Sequence, residues 1–293
     1  MKPRIAVLGV GRMGSALVSA FLQQGYGVDI WNRTRSKCEP LAAWGARIAA
    51  TVRDAVAAAD IVVVNVNDYV TSDNLLRPDE VTRALRGKLL VQLTSGSPSQ
   101  ARDQATWARQ HDISYLDGAI MGTPNFIGQP GCTILYSGPS ELFEKYKPVL
   151  LALGGNPQHV GTDVGHASAL DSALLVFMWG ELFGMLQGVA VCEAEKVPLE
   201  AFMNYVKATK PVVDGATTDF VTRFQQRRFA ADETTLATIE IHAGALRHLL
   251  ELCKERGIHR AVPEAFDQLF QAAIQAGAGQ DDFAALTRFM RPS

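Results

Sequence analysis

The chain has 293 residues, 47% of them hydrophobic and 20% charged, enough for about two domains, each with a core of its own. Its 28 basic and 30 acidic residues leave a nearly neutral surface, so neither nucleic acid nor an anionic membrane is expected as a partner. Cys38, Cys132, Cys192 and Cys253 are scattered without a CxxC pair, and the six histidines form no ligand pattern, so no disulfide framework or structural zinc is expected.

Lys2-Pro3-Arg4 leads directly into Ile5–Leu8, an apolar run too short for a signal peptide, which predicts a first strand in a cytoplasmic protein. A helix over Gly14–Gln24, a strand at Val28–Trp31 and a helix over Arg35–Trp44 follow. Further strands are predicted at Ile61–Val66, Leu89–Leu93 and Ser114–Asp117, with a helix at Ser99–His111. Thr133–Tyr136 extends the sheet and Phe143–Ala152 adds a last helix. Strands alternating with helices predict a doubly wound parallel sheet.

From His166 onward no strand is expected. Helices are predicted at Ala167–Glu195, from Leu199 to about Thr209, at Ala216–Gln226, Leu236–Arg256 and Val262–Gln275, and at Asp282–Met290. The expected fold class is an α/β domain over residues 1–162, then a long interdomain helix with an all-α dimerisation and substrate domain over 163–293. The stretch Ala173–Cys192 is long and apolar enough to suggest a membrane span. Glu181 and Gln187 inside it favour a helix held between protein layers instead.

Gly9-Val10-Gly11-Arg12-Met13-Gly14 is a GxGxxG that follows a strand and opens a helix, the context in which such glycines bind a dinucleotide. They supply a tight turn, close approach to the pyrophosphate and close helix–strand packing, with the phosphates at the helix N-terminus. The domain is therefore expected to be a Rossmann domain. Asp29 stands at the spacing of the carboxylate that binds a ribose 2'-hydroxyl, but it lies inside the strand run and should leave from its face rather than its tip. The tip residues Asn32, Arg33 and Thr34, with Lys37 on the next turn, suit a 2'-phosphate and predict NADPH. Arg33 is otherwise a solvated surface arginine. Asn65, Val66 and Thr94, around the ends of the next two strands, complete the expected cofactor-binding set.

His166 to Glu195 contains no proline and spans about 40 Å as a helix. Gly180, Gly184 and Gly188 recur every four residues, a bare stripe that suits another helix packed close, from a partner subunit. Asp171 stands among Ala169, Leu170, Ala173, Leu174 and Leu175. A carboxylate so placed is either partly desolvated and useful as a proton donor or amine anchor, or a helix-terminal residue complementing the dipole.

The glycine turn, Trp31-Asn32-Arg33-Thr34, Thr94-Ser95-Gly96-Ser97-Pro98, Val164-Gly165, Ala276-Gly277 and Asp281-Asp282-Phe283 together resemble the β-hydroxyacid dehydrogenase superfamily. Its dehydrogenases carry a catalytic lysine and an asparagine on the long helix. Alignment through Val164-Gly165 puts Asp171 and Leu174 at those two positions, a replacement that resembles the imine reductases and reductive aminases.

That resemblance implies NADPH, a small imine or a ketone plus amine as substrate, and a homodimer that exchanges helical domains. It implies Asp171 as the catalytic residue and Ser95, Met178, Trp179 and His242 in the substrate pocket. Trp179 is equally readable as a core aromatic, and His242 reads more readily as a satisfied core histidine than as a pocket residue. Many reductive aminases have Tyr and Asn where Trp179 and Ser95 stand, which favours reduction of a preformed cyclic imine. The alternatives are a conventional hydroxyacid dehydrogenase and a non-catalytic NADPH-binding scaffold. Against the first, Lys145 and Lys147 precede the helix and Lys196 follows it, so none replaces the missing lysine.

Overall fold

The computed structural model describes residues 2–291 and resolves into two compact units, one reaching to Val176 and the other beginning at Phe177. In the first unit the elements run β1 (Ile5–Leu8), α1 (Arg12–Gln23), β2 (Val28–Trp31), α2 (Glu39–Ala42), β3 (Arg47–Ile48), α3 (Val52–Ala58), β4 (Ile61–Val64), α4 (Tyr69–Leu76) and α5 (Asp79–Leu85). They continue as β5 (Leu89–Gln92), α6 (Pro98–Gln110), β6 (Ser114–Met121), β7 (Thr133–Ser137), α7 (Ser140–Leu150) and β8 (Asn156–Gly161). The helix α8 (His166–Ala194) begins in this unit and continues into the second, where α9 (Leu199–Gln226), α10 (Ile239–Arg256), α11 (Ala261–Gln275) and a 3-10 segment, Phe283–Phe289, follow.

One sheet of eight strands in the order β3-β2-β1-β4-β5-β6-β7-β8 organises the first unit. It is parallel from β3 to β6. β7 turns back antiparallel to β6, because the connection holds only a short 3-10 turn at Pro124–Phe126 and no crossover helix. α7 then provides the crossover that sets β8 parallel to β7. The sheet is thus mostly parallel, and its last two strands run against the rest.

Alternation along β1 sends Ile5 and Val7 into one apolar layer and Ala6 and Leu8 into the other, so both faces of the strand are buried. This explains why the central strands read as continuous apolar runs. The edge strand β8, with Asn156, Pro157 and Gln158, lacks that signal and was not expected. Neither were the two-residue β3 or the short helices α3, α4 and α5. The starts of α3 and α4 are written instead in capping side chains: Thr51 accepts the Asp54 N–H and Asp68 that of Thr71.

In the second unit the two helices expected on either side of residues 210–215 are one continuous helix, α9, which runs through Pro211. The proline removes one hydrogen bond without ending the helix. α10 begins later than expected, at Ile239, where the Thr238 side chain caps the Ile241 N–H. Its core sets Ile239, Ala243 and Leu246 against Phe270, Ala273 and Leu286.

α8 is the one helix among the described residues long and apolar enough to cross a membrane, with mean hydropathy 1.7. Its Glu181 pairs with Lys210 of α9 at 3.0 Å. The glycine stripe divides: a Cβ at Gly188 would fall 2.5 Å from the Phe202 ring of α9, whereas Gly180 and Gly184 meet nothing within 4 Å.

Arg223 of α9 is wholly buried, and its guanidinium bonds Asp219 at 2.5 Å and Asp232 at 2.6 Å, with Asp282 at 3.5 Å. It ties the connection before α10 and the C-terminal 3-10 segment to one helix. Arg223→Met removes the buried cation, leaving Asp219 and Asp232 only the more distant Arg228, and is expected to lower stability by about 3 kcal/mol or more in urea unfolding. An unchanged midpoint would show that the cluster is not structural.

Candidate active site

Gly9 has φ +95°, and a Cβ there would run into the Asn65 backbone carbonyl. A Cβ on Gly14 would strike the Gly9 carbonyl, so α1 can press onto the turn only because Gly14 is bare. Gly11 meets nothing within 4 Å. Two of the three glycines are thus consumed by packing and the third leaves open the space a pyrophosphate needs at the N-terminus of α1.

The turn opens into a cleft of about 530 Å³ at the C-terminal ends of β1, β2 and β4. Gly9, Gly11, Arg12 and Met13 line one side, and Asn32, Arg33, Thr34 and Lys37 another. Asn65 and Val66 form the floor toward β4. Val10 and Gly14 shape the turn from behind. Asn32 has a framework role as well: its Oδ1 accepts the Val10 N–H at 3.1 Å and its amide donates to the Thr34 carbonyl at 2.9 Å.

Asn65 donates to the Leu93 carbonyl at 2.7 Å, and the buried Thr94 hydroxyl accepts the Val66 N–H at 3.1 Å, locking the loops after β4 and β5 together. Ser95, the next residue, is exposed. Trp31, Asn67, Thr71, Asn74 and Leu75 also line the cleft. The last four lie on α4 and the loop before it, whose role no motif announced.

Asp29 is wholly buried and paired with Arg4 and Arg47, away from the strand tip. The exposed Arg33 and Lys37 are, among the described residues, in no ion pair. The strand-tip charge facing the cleft is therefore positive, as a 2'-phosphate requires.

Several polar contacts fix the start of α8. Arg102 grips Asp163 at 2.9 Å, holding its carboxyl down to about 2, and Asp163 accepts the Gly165 N–H. The Ser137 hydroxyl on β7 donates to the Val164 carbonyl at 2.7 Å and accepts the Ala167 N–H at 3.1 Å. Ser168 donates to Asp117 of β6 at 2.9 Å. One turn on stands Asp171, partly buried, where desolvation pushes its carboxyl above the ordinary aspartate value. This places Asp171 on a rigid helical turn rather than a loop.

Met178 and Trp179 belong to the second unit and are both exposed. Helical geometry sets Met178 on the stripe of Asp171 and Trp179 about 80° further round. His242 stacks on Phe270 with ring centroids 6.3 Å apart and meets the Phe283 edge at 5.2 Å. Burial lowers its pKa, while the Asp282 charge acts the other way. It also lines an apolar cavity of about 510 Å³ between α9 and α10, with Val212, Phe220, Leu236 and Phe283.

Residues 4–161 match the family model described as the NAD binding domain of 6-phosphogluconate dehydrogenase, and residues 163–292 match NADPH-dependent reductive aminase-like, C-terminal domain. A curated NADPH-dependent reductive aminase of Aspergillus oryzae is 30% identical, over 99% of this chain and 98% of its own. An imine reductase from Myxococcus stipitatus, solved with NADP+, is 62% identical with a TM-score of 0.94, over 99% of this chain and 100% of that one. A reductive aminase from Aspergillus terreus, solved with NADPH4, cyclohexanone and allyl amine, is 31% identical with a TM-score of 0.89, over the same shares.

Charge-assisted hydrogen bonds contribute about 1.5 to 3 kcal/mol each, so Arg33→Ala is expected to raise the Kd for NADPH at least about tenfold in a fluorescence titration while leaving that for NADH nearly unchanged. Equal weakening of both cofactors would show that Arg33 does not read the 2'-phosphate.

Proposed function

The chain belongs to the imine reductase and reductive aminase family of NADPH-dependent oxidoreductases, and we propose that Asp171 is the group that protonates its imine substrate. The observation that carries this reading is a single carboxyl on the first turns of α8, partly desolvated and with its pKa raised by burial, in the unit that holds the dinucleotide cleft. The open Gly11 face and the free Arg33 and Lys37 cations fit NADPH, with the pyrophosphate at the N-terminus of α1 and the 2'-phosphate at the tip of β2. When bound, NADPH supplies the hydride that the C=N carbon accepts.

Reduction of a neutral imine to an amine also consumes one proton, delivered to nitrogen. A carboxyl whose pKa is raised keeps that proton available at higher pH than an ordinary aspartate. For a substrate that arrives as an iminium ion, the ionised form of the same group attracts the cation. A hydroxyacid site would want a cation opposite the substrate carboxylate and alkoxide, which Asp171 does not supply. Trp179 and Ser95 favour a preformed cyclic imine over coupling of a ketone with an amine. Met178, Trp179 and His242 are proposed for the substrate pocket, and the apolar cavity beside His242 supports an apolar ring as substrate.

We place the domain boundary ahead of α8, with residues 1–162 binding cofactor and 163–293 serving dimerisation and substrate binding, as the abutting family matches support. Exposed Val176, Phe177, Leu182, Phe183 and Leu186 on α8, with open space at Gly180 and Gly184, support a homodimer of interlocked helical domains. Four buried, unpaired cysteines support a reducing, cytoplasmic location.

Asp171→Asn keeps the shape but removes the acid, so NADPH binding is expected to persist while turnover of a neutral cyclic imine falls about a hundredfold to ten-thousandfold. The loss is expected to be smaller for an N-alkylated iminium of the same ring. Equal losses, or none, would remove the proton-donor role. Gly184→Leu is expected to convert the dimer to monomer in sedimentation at micromolar protein. A wild-type chain that is already monomeric there would contradict the interlocked assembly.

A further inference from the structure

The helix α4 lines the cofactor cleft with few apolar means of staying there. It is eight residues long, and its buried side chains are Tyr69, Ser72 and Leu76, of which only the leucine is wholly apolar. So short a helix is marginal without tertiary support. Thr71, Asn74 and Leu75, on the adjoining side of the helix, line the cleft.

Buried polar side chains supply the support instead. Gln92 of β5 and Gln104 of α6 are both almost wholly buried, as is Ser72. Gln92 donates to the Ser72 hydroxyl at 2.7 Å and to the Gln104 Oε1 at 2.6 Å, and its own Oε1 accepts the Thr94 N–H at 3.1 Å. Gln104 donates to the same hydroxyl at 3.1 Å and to Asp73 at 2.9 Å. In the first turn of α4, Tyr69 donates to Asp117 of β6.

Both amides thus use their N–H groups and their oxygen within the network. Through Thr94, whose hydroxyl accepts the Val66 N–H, the chain of bonds runs from α4 to the floor of the cleft. Leu90, two residues before Gln92 on the same face of β5, packs in an apolar layer. An apolar side chain could therefore occupy the Gln92 position. Hydrogen bonds fix direction and separation where apolar packing does not, so two buried amides here call for a role in geometry.

We propose that Gln92 and Gln104 are positioning residues for NADPH, which hold the α4 wall of the cofactor cleft at a fixed place against its Val66 floor. This rests on the reading of the cleft as the NADPH site. Neither side chain lines the cleft itself; both act through Ser72, Asp73 and Thr94.

The test compares the NADPH Kd by fluorescence titration, the urea midpoint without cofactor, and kcat with a cyclic imine at saturating NADPH. Ser72→Ala removes one hydroxyl and favours the helix, and Gln104→Leu removes both bonds from α6 to α4. Each is expected to raise the Kd about three- to tenfold while kcat stays within about twofold. Ser72→Ala serves where Gln104→Leu fails to fold. Val56→Ala, in the apolar layer on α3, is the control: it should lower the midpoint at least as far and leave the Kd unchanged.

Gly11→Val, which fills the open face of the glycine turn, checks the cleft itself and should weaken NADPH binding. If it does, while the Kd is unmoved in Ser72→Ala and Gln104→Leu, the role given to the two glutamines is overturned. A Kd that follows the urea midpoint in every variant, Val56→Ala included, overturns it as well, since the network then only stabilises the fold. Normal NADPH binding by Gly11→Val instead overturns the reading of the cleft on which this inference stands.

Discussion

Two hydrogen bonds fasten the start of the long helix to the sheet, from the Ala167 N–H to Ser137 on β7 and from the Ser168 hydroxyl to Asp117 on β6. Because β7 returns antiparallel beside β6, the two acceptors lie side by side in register, Asp117 opposite Ser137. The reversal at the end of the parallel sheet thus has a consequence for chemistry: it creates a two-strand seat for α8. Asp171, one turn further on, inherits its position from that seat. A carboxyl on a loop would sample solvent, whereas this one is held partly desolvated, the condition under which it retains a proton.

The cofactor end follows a different logic, in which backbone is shaped first and charge is added last. Gly9 and Gly14 let strand, turn and helix close on one another, the Asn32 amide staples the turn to the tip of β2, and the Asn65 amide ties the loop after β4 to the end of β5. The two carboxylate-facing arginines, Arg4 and Arg47, neutralise Asp29 within the strand layer. Arg33 and Lys37 are left to face the cleft. The positive charge at the cleft therefore depends on where the acidic residue is held as much as on where the basic residues stand.

The central strands, the glycine turn and the long helix were legible in the sequence because each produces a local signal: a doubly buried run, a fixed glycine spacing, an unbroken apolar helix. The direction of Asp29 was legible for the same reason, since pleat alternation decides it and the side chain lies buried against Arg4 and Arg47. β8 escaped because an edge strand with Pro157 has no such pattern, and α9 was divided because Pro211 and Gly215 suggest a break that tertiary packing overrides. Most of the polar frame of the site was not legible. Asp117, Tyr69 and Ser168 are far apart in the chain, and none carries a motif, although an aspartate inside the buried run of β6 is a visible anomaly.

The most direct measurement is the wild-type protein's own turnover. Incubated with NADPH and a neutral cyclic imine, it should form the saturated amine in a one-to-one ratio with NADPH consumed, while a β-hydroxyacid supplied with NADP+ is left unoxidised. Oxidation of the hydroxyacid without reduction of the imine, or tight NADPH binding with neither reaction, would contradict imine reduction as its chemistry.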